Sequence, residues 1–170
     1  QGDAVLAVDE HDRTLTFAEY AARAERLAAG LHERGVRAGQ VVSWMLPTWI
    51  ETALVIAALD RLGVVQNPLL PIYREREVGF ITRQARTTTM IVPGTWRGYD
   101  YAALARTAID DVLVIGRDGP LPDADPSALP AFVPDPERIA WYFYTSGTTA
   151  DPKGVKHRHG SIAAATVNMC

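Results

Sequence analysis

The 170-residue sequence predicts an α/β fold, a mostly parallel sheet flanked by helices. Segments with apolar residues at helical spacing alternate with short apolar runs of strand length, and glycine or proline marks most junctions. A composition of 48% hydrophobic and 22% charged residues is that of a globular chain with one core.

The first helix is expected from Thr16. Glu19 follows at capping-box distance, and Phe17, Tyr20, Ala21, Ala24, Leu27, Ala28 and Leu31 recur on one face. Arg34 and then Gly35 suit its carboxyl end. The run from Val41 to Leu46 reads as a strand closed by Pro47. A second helix, from about Thr48 to Leu62, is apolar on most sides and so expected to be buried; Gly63 stops it before the strand-like Val64, Val65 and Gln66. A charged helix near Arg74 to Gln84, a strand at Thr88 to Val92, a helix near Tyr101 to Ile109 and a strand at Val112 to Ile115 continue the pattern. Such alternation implies right-handed crossovers between parallel strands.

From about 119 to 136 the chain is rich in proline with no apolar period, which predicts an extended connector. Ile139 to Tyr144 returns to strand-forming aromatics, followed by a Ser/Thr/Gly loop and a helix from Ser161 to the last residue. A helix cut off without a cap predicts a piece of a longer polypeptide.

Several function classes are disfavoured. With 17 Lys+Arg against 20 Asp+Glu, a net charge of -3 provides no broad positive field for nucleic acid or anionic lipid, so any phosphate site must be local. The most apolar stretch, Thr52 to Leu59, is far short of the ~20 residues of a membrane span, and no signal pattern opens the chain. A cytoplasmic location is the expectation. Cys170 is the single cysteine and is read as a buried, inert thiol. His157 and His159 lack carboxylate or cysteine partners nearby in sequence, so no metal ligand is assigned. Without a basic patch, Trp44, Trp49, Trp96 and Trp141 are read as packing residues, and Arg74 to Glu77 as a solvated helix start.

The segment from Tyr144 to Val155 carries the chemistry. Gly147 lets backbone N–H groups face an anion, Thr145, Ser146, Thr148 and Thr149 offer O–H donors, and Lys153 adds a mobile positive charge. Together these groups suit a polyphosphate. The order departs from a Walker A loop, because glycine follows the lysine where Ser or Thr is required. Taken as composition alone, the cluster is also what an ordinary surface loop looks like.

The ordered string Thr145-Ser146-Gly147-Thr148-Thr149, then Pro152-Lys153-Gly154-Val155, resembles the phosphate-binding signature of adenylate-forming enzymes. That group includes acyl-CoA and aryl-CoA ligases, luciferases and the adenylation domains of peptide synthetases. Resemblance extends upstream through Leu15 to Tyr20, Gly35 to Val42 and Gly63 to Pro68, covering essentially the whole chain. The stretch Asn67 to Glu77 looks most like ligases for medium-chain or cyclic carboxylic acids. One departure is Ala150, where the family most often has glycine, and alanine resists a positive φ. The resemblance implies the amino-terminal portion of the family's large domain, with the 145–154 loop on the ATP phosphates and Lys153 as a clamp, not a base. It implies ATP, Mg2+ and CoA acting with a small carboxylic acid in an AMP-forming ligation. The adenine, metal and acyl sites and the catalytic lysine are expected beyond residue 170, so the 170 residues alone are expected to be inactive. Two alternatives stand beside it: a relative with a different acceptor, and a degenerate phosphate-binding module.

Overall fold

The structure is a computed structural model describing residues 2–145 and 151–167, with the side chains of 166 and 167 excepted. Strands β1 (Val5–Val8) and β2 (Thr14–Thr16) form an antiparallel hairpin that leads directly into α1 (Phe17–Glu33). The capping box is present in both halves: Glu19 N–H donates to Thr16 Oγ1 at 3.2 Å, and Thr16 N–H to Glu19 Oε2 at 2.9 Å. These bonds satisfy amides that the first helical turn leaves without partners.

Then follow β3 (Val41–Trp44), α2 (Ile50–Arg61), β4 (Val65–Pro68), α3 (Glu75–Ala85) and β5 (Thr87–Val92). A two-stranded ribbon, β6 (Thr95–Trp96) with β7 (Tyr99–Asp100), precedes α4 (Tyr101–Arg106) and β8 (Val112–Val114). The last elements are β9 (Ile139–Thr145), β10 (Lys153–Arg158) and α5 (His159–Val167). Six strands build one sheet in the order β10-β9-β4-β3-β5-β8. Neighbours are parallel from β9 through β8; β10 is antiparallel to β9. The chain is therefore α/β with a mostly parallel central sheet flanked by helices.

Sheet alternation divides the core in two. Along β5, Ile91 joins Val42 of β3 with Leu27 and Leu31 of α1 and Leu54 and Leu59 of α2 on one face. Met90 and Val92 join Val78, Ile81, Tyr101 and Leu104 from α3 and α4 on the other. Each such buried side chain contributes about 1.5–3 kcal/mol of transfer free energy, which makes both helical layers integral to the sheet. Leu54, Val55, Ala58 and Leu59 are fully buried, as the apolar character of α2 predicts.

Some elements differ from expectation. The β1–β2 and β6–β7 ribbons are short and lack an apolar period. Residues 153–158 form an edge strand, not loop, and α5 starts at His159 ahead of the expected Ser161. Segment 119–136 holds one 3-10 turn, Pro126–Ala128, and is strapped down along its length. Leu121 and Leu129 pack on the α1/α2 core, Ala124 N–H donates to Arg26 O at 3.3 Å, and Arg61 Nη2 donates to Pro130 O at 3.0 Å. Arg74 is not only solvated: its guanidinium lies 4.2 Å from the Tyr99 ring centroid.

Candidate functional site

Two of the residues singled out for phosphate binding, Thr145 and Lys153, face each other as the last and first partners of the β9–β10 ladder. Both are exposed at the loop end of the hairpin. Antiparallel pairing brings the two ends of the intervening segment together, so Thr145 and Lys153, eight positions apart in sequence, stand directly opposite each other in the ladder. Ser146, Gly147, Thr148, Thr149 and Ala150 lie outside the described residues, as does Cys170.

Beside Lys153 a groove of about 700 Å³ runs between the hairpin and α3, lined in part by Arg86, Tyr142, Tyr144 and Lys156. Three cations thus border it. Lys156 sits 5.7 Å from the Tyr142 ring centroid, and Asp151 pairs with Arg76 at 3.7 Å across the open rim. With side chains 60% and 82% exposed, that pair adds little to stability. Burial, with the neighbouring Tyr142, pushes the Tyr144 phenol above its ordinary range, so it is protonated at neutral pH.

A larger crevice of about 990 Å³ opens at the carboxyl ends of the parallel strands, where Trp44, Pro68, Pro93, Gly116 and Tyr144 line it. The connection after β3 leads to β4 on one side of it, and the next leads to β5 on the other, so this is where strand order reverses. Open α/β sheets bind ligands at such a point. Two guanidiniums stack on tryptophans in its walls: Arg97 lies 4.7 Å from the Trp96 ring centroid and Arg117 lies 5.6 Å from that of Trp49. Arg117 also bonds Glu10 and, at 2.7 Å, His11 Nε2; its hydrogen bond lowers the Glu10 carboxyl from the usual carboxylate range.

Sequence reasoning missed Arg97 and Arg117. Each sits in a short turn beyond a strand, next to Gly98 and Gly116, and those turns were the available signal. The tryptophans also depart from expectation. Trp44 and Trp96 do pack against the two cores, yet all four are only part-buried, and Trp44, Trp49 and Trp96 line the crevice. His159 is held by Asp60 at 3.3 Å, and its N–H donates to Arg138 O at 3.0 Å, a bond that anchors the start of α5. Among the described residues, no group of three or more His, Cys, Asp or Glu could hold a metal ion. No described helix is long and apolar enough to cross a membrane.

Compared with known proteins, residues 1–170 match the family described as AMP-binding enzyme. The chain belongs to the AMP-binding enzyme family. Among similar relatives is the salicyl-AMP ligase / salicyl-S-ArCP synthetase of Mycobacterium tuberculosis, 30% identical over 99% of this chain and 33% of its own length. Another is the 2-hydroxy-7-methoxy-5-methyl-1-naphthoate–CoA ligase of Streptomyces carzinostaticus, 32% identical over 95% of this chain and 33% of its own. Among solved structures, ATP-bound MatB from Rhodopseudomonas palustris superposes with a TM-score of 0.82 at 26% identity, covering 99% of this chain and 34% of that one. The chain spans about a third of the length of the curated relatives it matches.

Proposed function

We propose that this chain supplies the phosphate-binding loop of a ligase that activates a carboxylic acid with ATP. A carboxylate oxygen attacks the α-phosphorus, the bond to the bridging oxygen of pyrophosphate breaks, and an acyl-adenylate forms. The CoA thiol, losing its proton, then attacks the acyl carbon and AMP leaves. The observation that supports this reading is the meeting of Thr145 and Lys153 at the mouth of the hydroxyl- and glycine-rich loop.

In the first step negative charge builds on the leaving phosphates. The Lys153 ammonium and the Thr145 hydroxyl are placed to offset it, and Ser146, Thr148, Thr149 and the Gly147 N–H are proposed to add donors. Donors held by a protein need less reorganisation than water as charge develops. Mg2+ would neutralise part of the same charge. The described residues provide no carboxylate cluster for it, so its ligands are not assigned to this chain. The crevice, with Arg97 and Arg117 in its walls, is large enough to receive an organic anion.

The test is carboxylate-dependent exchange of labelled pyrophosphate into ATP by the full-length protein, across aromatic, medium-chain and short acids. Lys153→Ala is expected to lower kcat/KM for ATP by about 10²–10³-fold, the range for losing one transition-state donor. Absence of exchange with every acid would favour a non-catalytic phosphate-binding module instead. A second reading, with a carrier-protein thiol as acceptor, is favoured by the relative described as a salicyl-S-ArCP synthetase. Exchange without any CoA thioester product would select it.

A further inference from the structure

Among the described residues, strand β10 ends the sheet order and pairs only with β9. Its residues, Lys153 to Arg158, are mostly exposed and have no apolar alternation, so the burial pattern that normally fixes register is missing here. A slip of one residue would turn Lys153 to the opposite face of the sheet and remove it from Thr145. Something else must hold the ladder in place.

The pair next to Thr145 and Lys153 is Tyr144 opposite Gly154. A Cβ built on Gly154 would fall 2.9 Å from Tyr144 Cζ, 3.1 Å from its Cε1 and 3.1 Å from its hydroxyl oxygen. The tyrosine ring therefore occupies the space that any other residue at 154 would fill. Tyr144 also packs against the core cluster containing Met45, Tyr73 and Met90. Its ring is thus wedged between the core and the bare backbone of the edge strand, an arrangement that pins register where glycine interrupts a sheet.

We propose that Tyr144 is a positioning residue: its ring, seated on Gly154, locks the β9–β10 register that sets Lys153 opposite Thr145. The proposal rests on the reading above that Lys153 clamps ATP phosphates. The nearest atom and one of the next two are ring carbons, which phenylalanine keeps, so it is expected to serve in place of tyrosine. At Gly154 the obstacle is the far end of a side chain, so an added methyl unseats the ring and with it the lock on the register.

The experiment uses the full-length protein in five forms: wild type, Tyr144→Phe, Tyr144→Ala, Gly154→Ala and the double variant Tyr144→Ala/Gly154→Ala. Amide hydrogen exchange of β10 is one readout. Pyrophosphate exchange, giving KM values for ATP and for the acid, is the other. Tyr144→Ala and Gly154→Ala are each expected to expose the β10 amides and lower kcat/KM for ATP about 10–100-fold, as a misplaced group does, with the acid KM changed less than about twofold. Tyr144→Phe restores both readouts. The double variant is no worse than either single one, because both substitutions remove the same contact. Unchanged β10 protection in Tyr144→Ala, or additive losses in the double variant, would overturn the proposal. Failure of the wild type to exchange pyrophosphate refutes the ligase reading separately, while β10 protection still decides whether the ring is the lock.

Discussion

Gly30, in the last turn of α1, lies against the backbone of Pro122 in the proline-rich segment. A Cβ on Gly30 would be 2.5 Å from the Pro122 carbonyl carbon and 2.5 Å from Asp123 N. The close approach lets Asp123 pair with Arg26 at 2.7 Å and Ala124 bond to the α1 backbone. Glycine here serves packing, since alanine would be the better helix former by about 1 kcal/mol.

Gly30→Ala is accordingly expected to destabilise the protein by about 1–3 kcal/mol, the usual cost of overpacking, despite the helix-propensity gain. Urea unfolding measures it. A stabilised variant would show that the 119–136 segment lifts off α1 at no cost.

Arg13 reaches from the first hairpin to Glu51 at the start of α2, with an N–O distance of 2.9 Å, and also bonds Asp9 at 2.6 Å and Asp118. The Glu51 side chain is only 3% exposed. Arg13→Ala leaves that carboxylate buried without its cation, and a loss of about 3 kcal/mol is expected. Arg13→Ala/Glu51→Leu should recover most of it, because removing both partners also removes the desolvation cost. A double variant as unstable as the single one would show that Glu51 is not where the cost arises.

The same cluster sets acid sensitivity. Burial works to raise the Asp9 carboxyl, but hydrogen bonds from the His11 and Arg13 amides and the Arg13 guanidinium outweigh it and bring Asp9 from 3.8 down to about 2. Glu51 is lowered too, Arg13 again prevailing over burial. Folded-state values below unfolded ones mean stability that is present above the ordinary carboxylate range and lost as pH falls through the depressed values. For Asp9 that window runs from 3.8 to about 2. Unfolding midpoints measured down that range should fall in the wild type and fall less in Arg13→Ala. Parallel curves would sink the assignment.

Thr16→Ala removes one half of the α1 capping box and is expected to cost about 1 kcal/mol. Glu19→Gln keeps an acceptor for the Thr16 amide and should cost less. Chemical denaturation of the two variants side by side checks the order.

Much of this was legible locally. The α1 cap needed only Thr16 and Glu19 at their spacing, and the strands and helices from Val41 to Val114, the β6–β7 ribbon excepted, followed from periodicity and the glycines and prolines that interrupt it. β10 was not legible because an exposed edge strand has no buried face to impose alternation, and Lys153 to Arg158 reads as a polar tail of the loop. Arg97 and Arg117 were missed for a related reason. They lie on separate turns, and only the sheet brings Trp96 and Trp49, on which they stack, to the same crevice.

The sequence by itself determined the α/β class, because side-chain period and chain-breaking residues act over a few positions. It also determined which residue types fill the 145–154 loop. Strand order, the crevice where that order reverses, the seating of Tyr144 on Gly154 and the approach of Pro122 to Gly30 were decided by the tertiary structure. Each of these depends on contacts between different elements. Such contacts are selected by burying both helical layers on one sheet, a free energy that belongs to the assembled core and to no single stretch of residues.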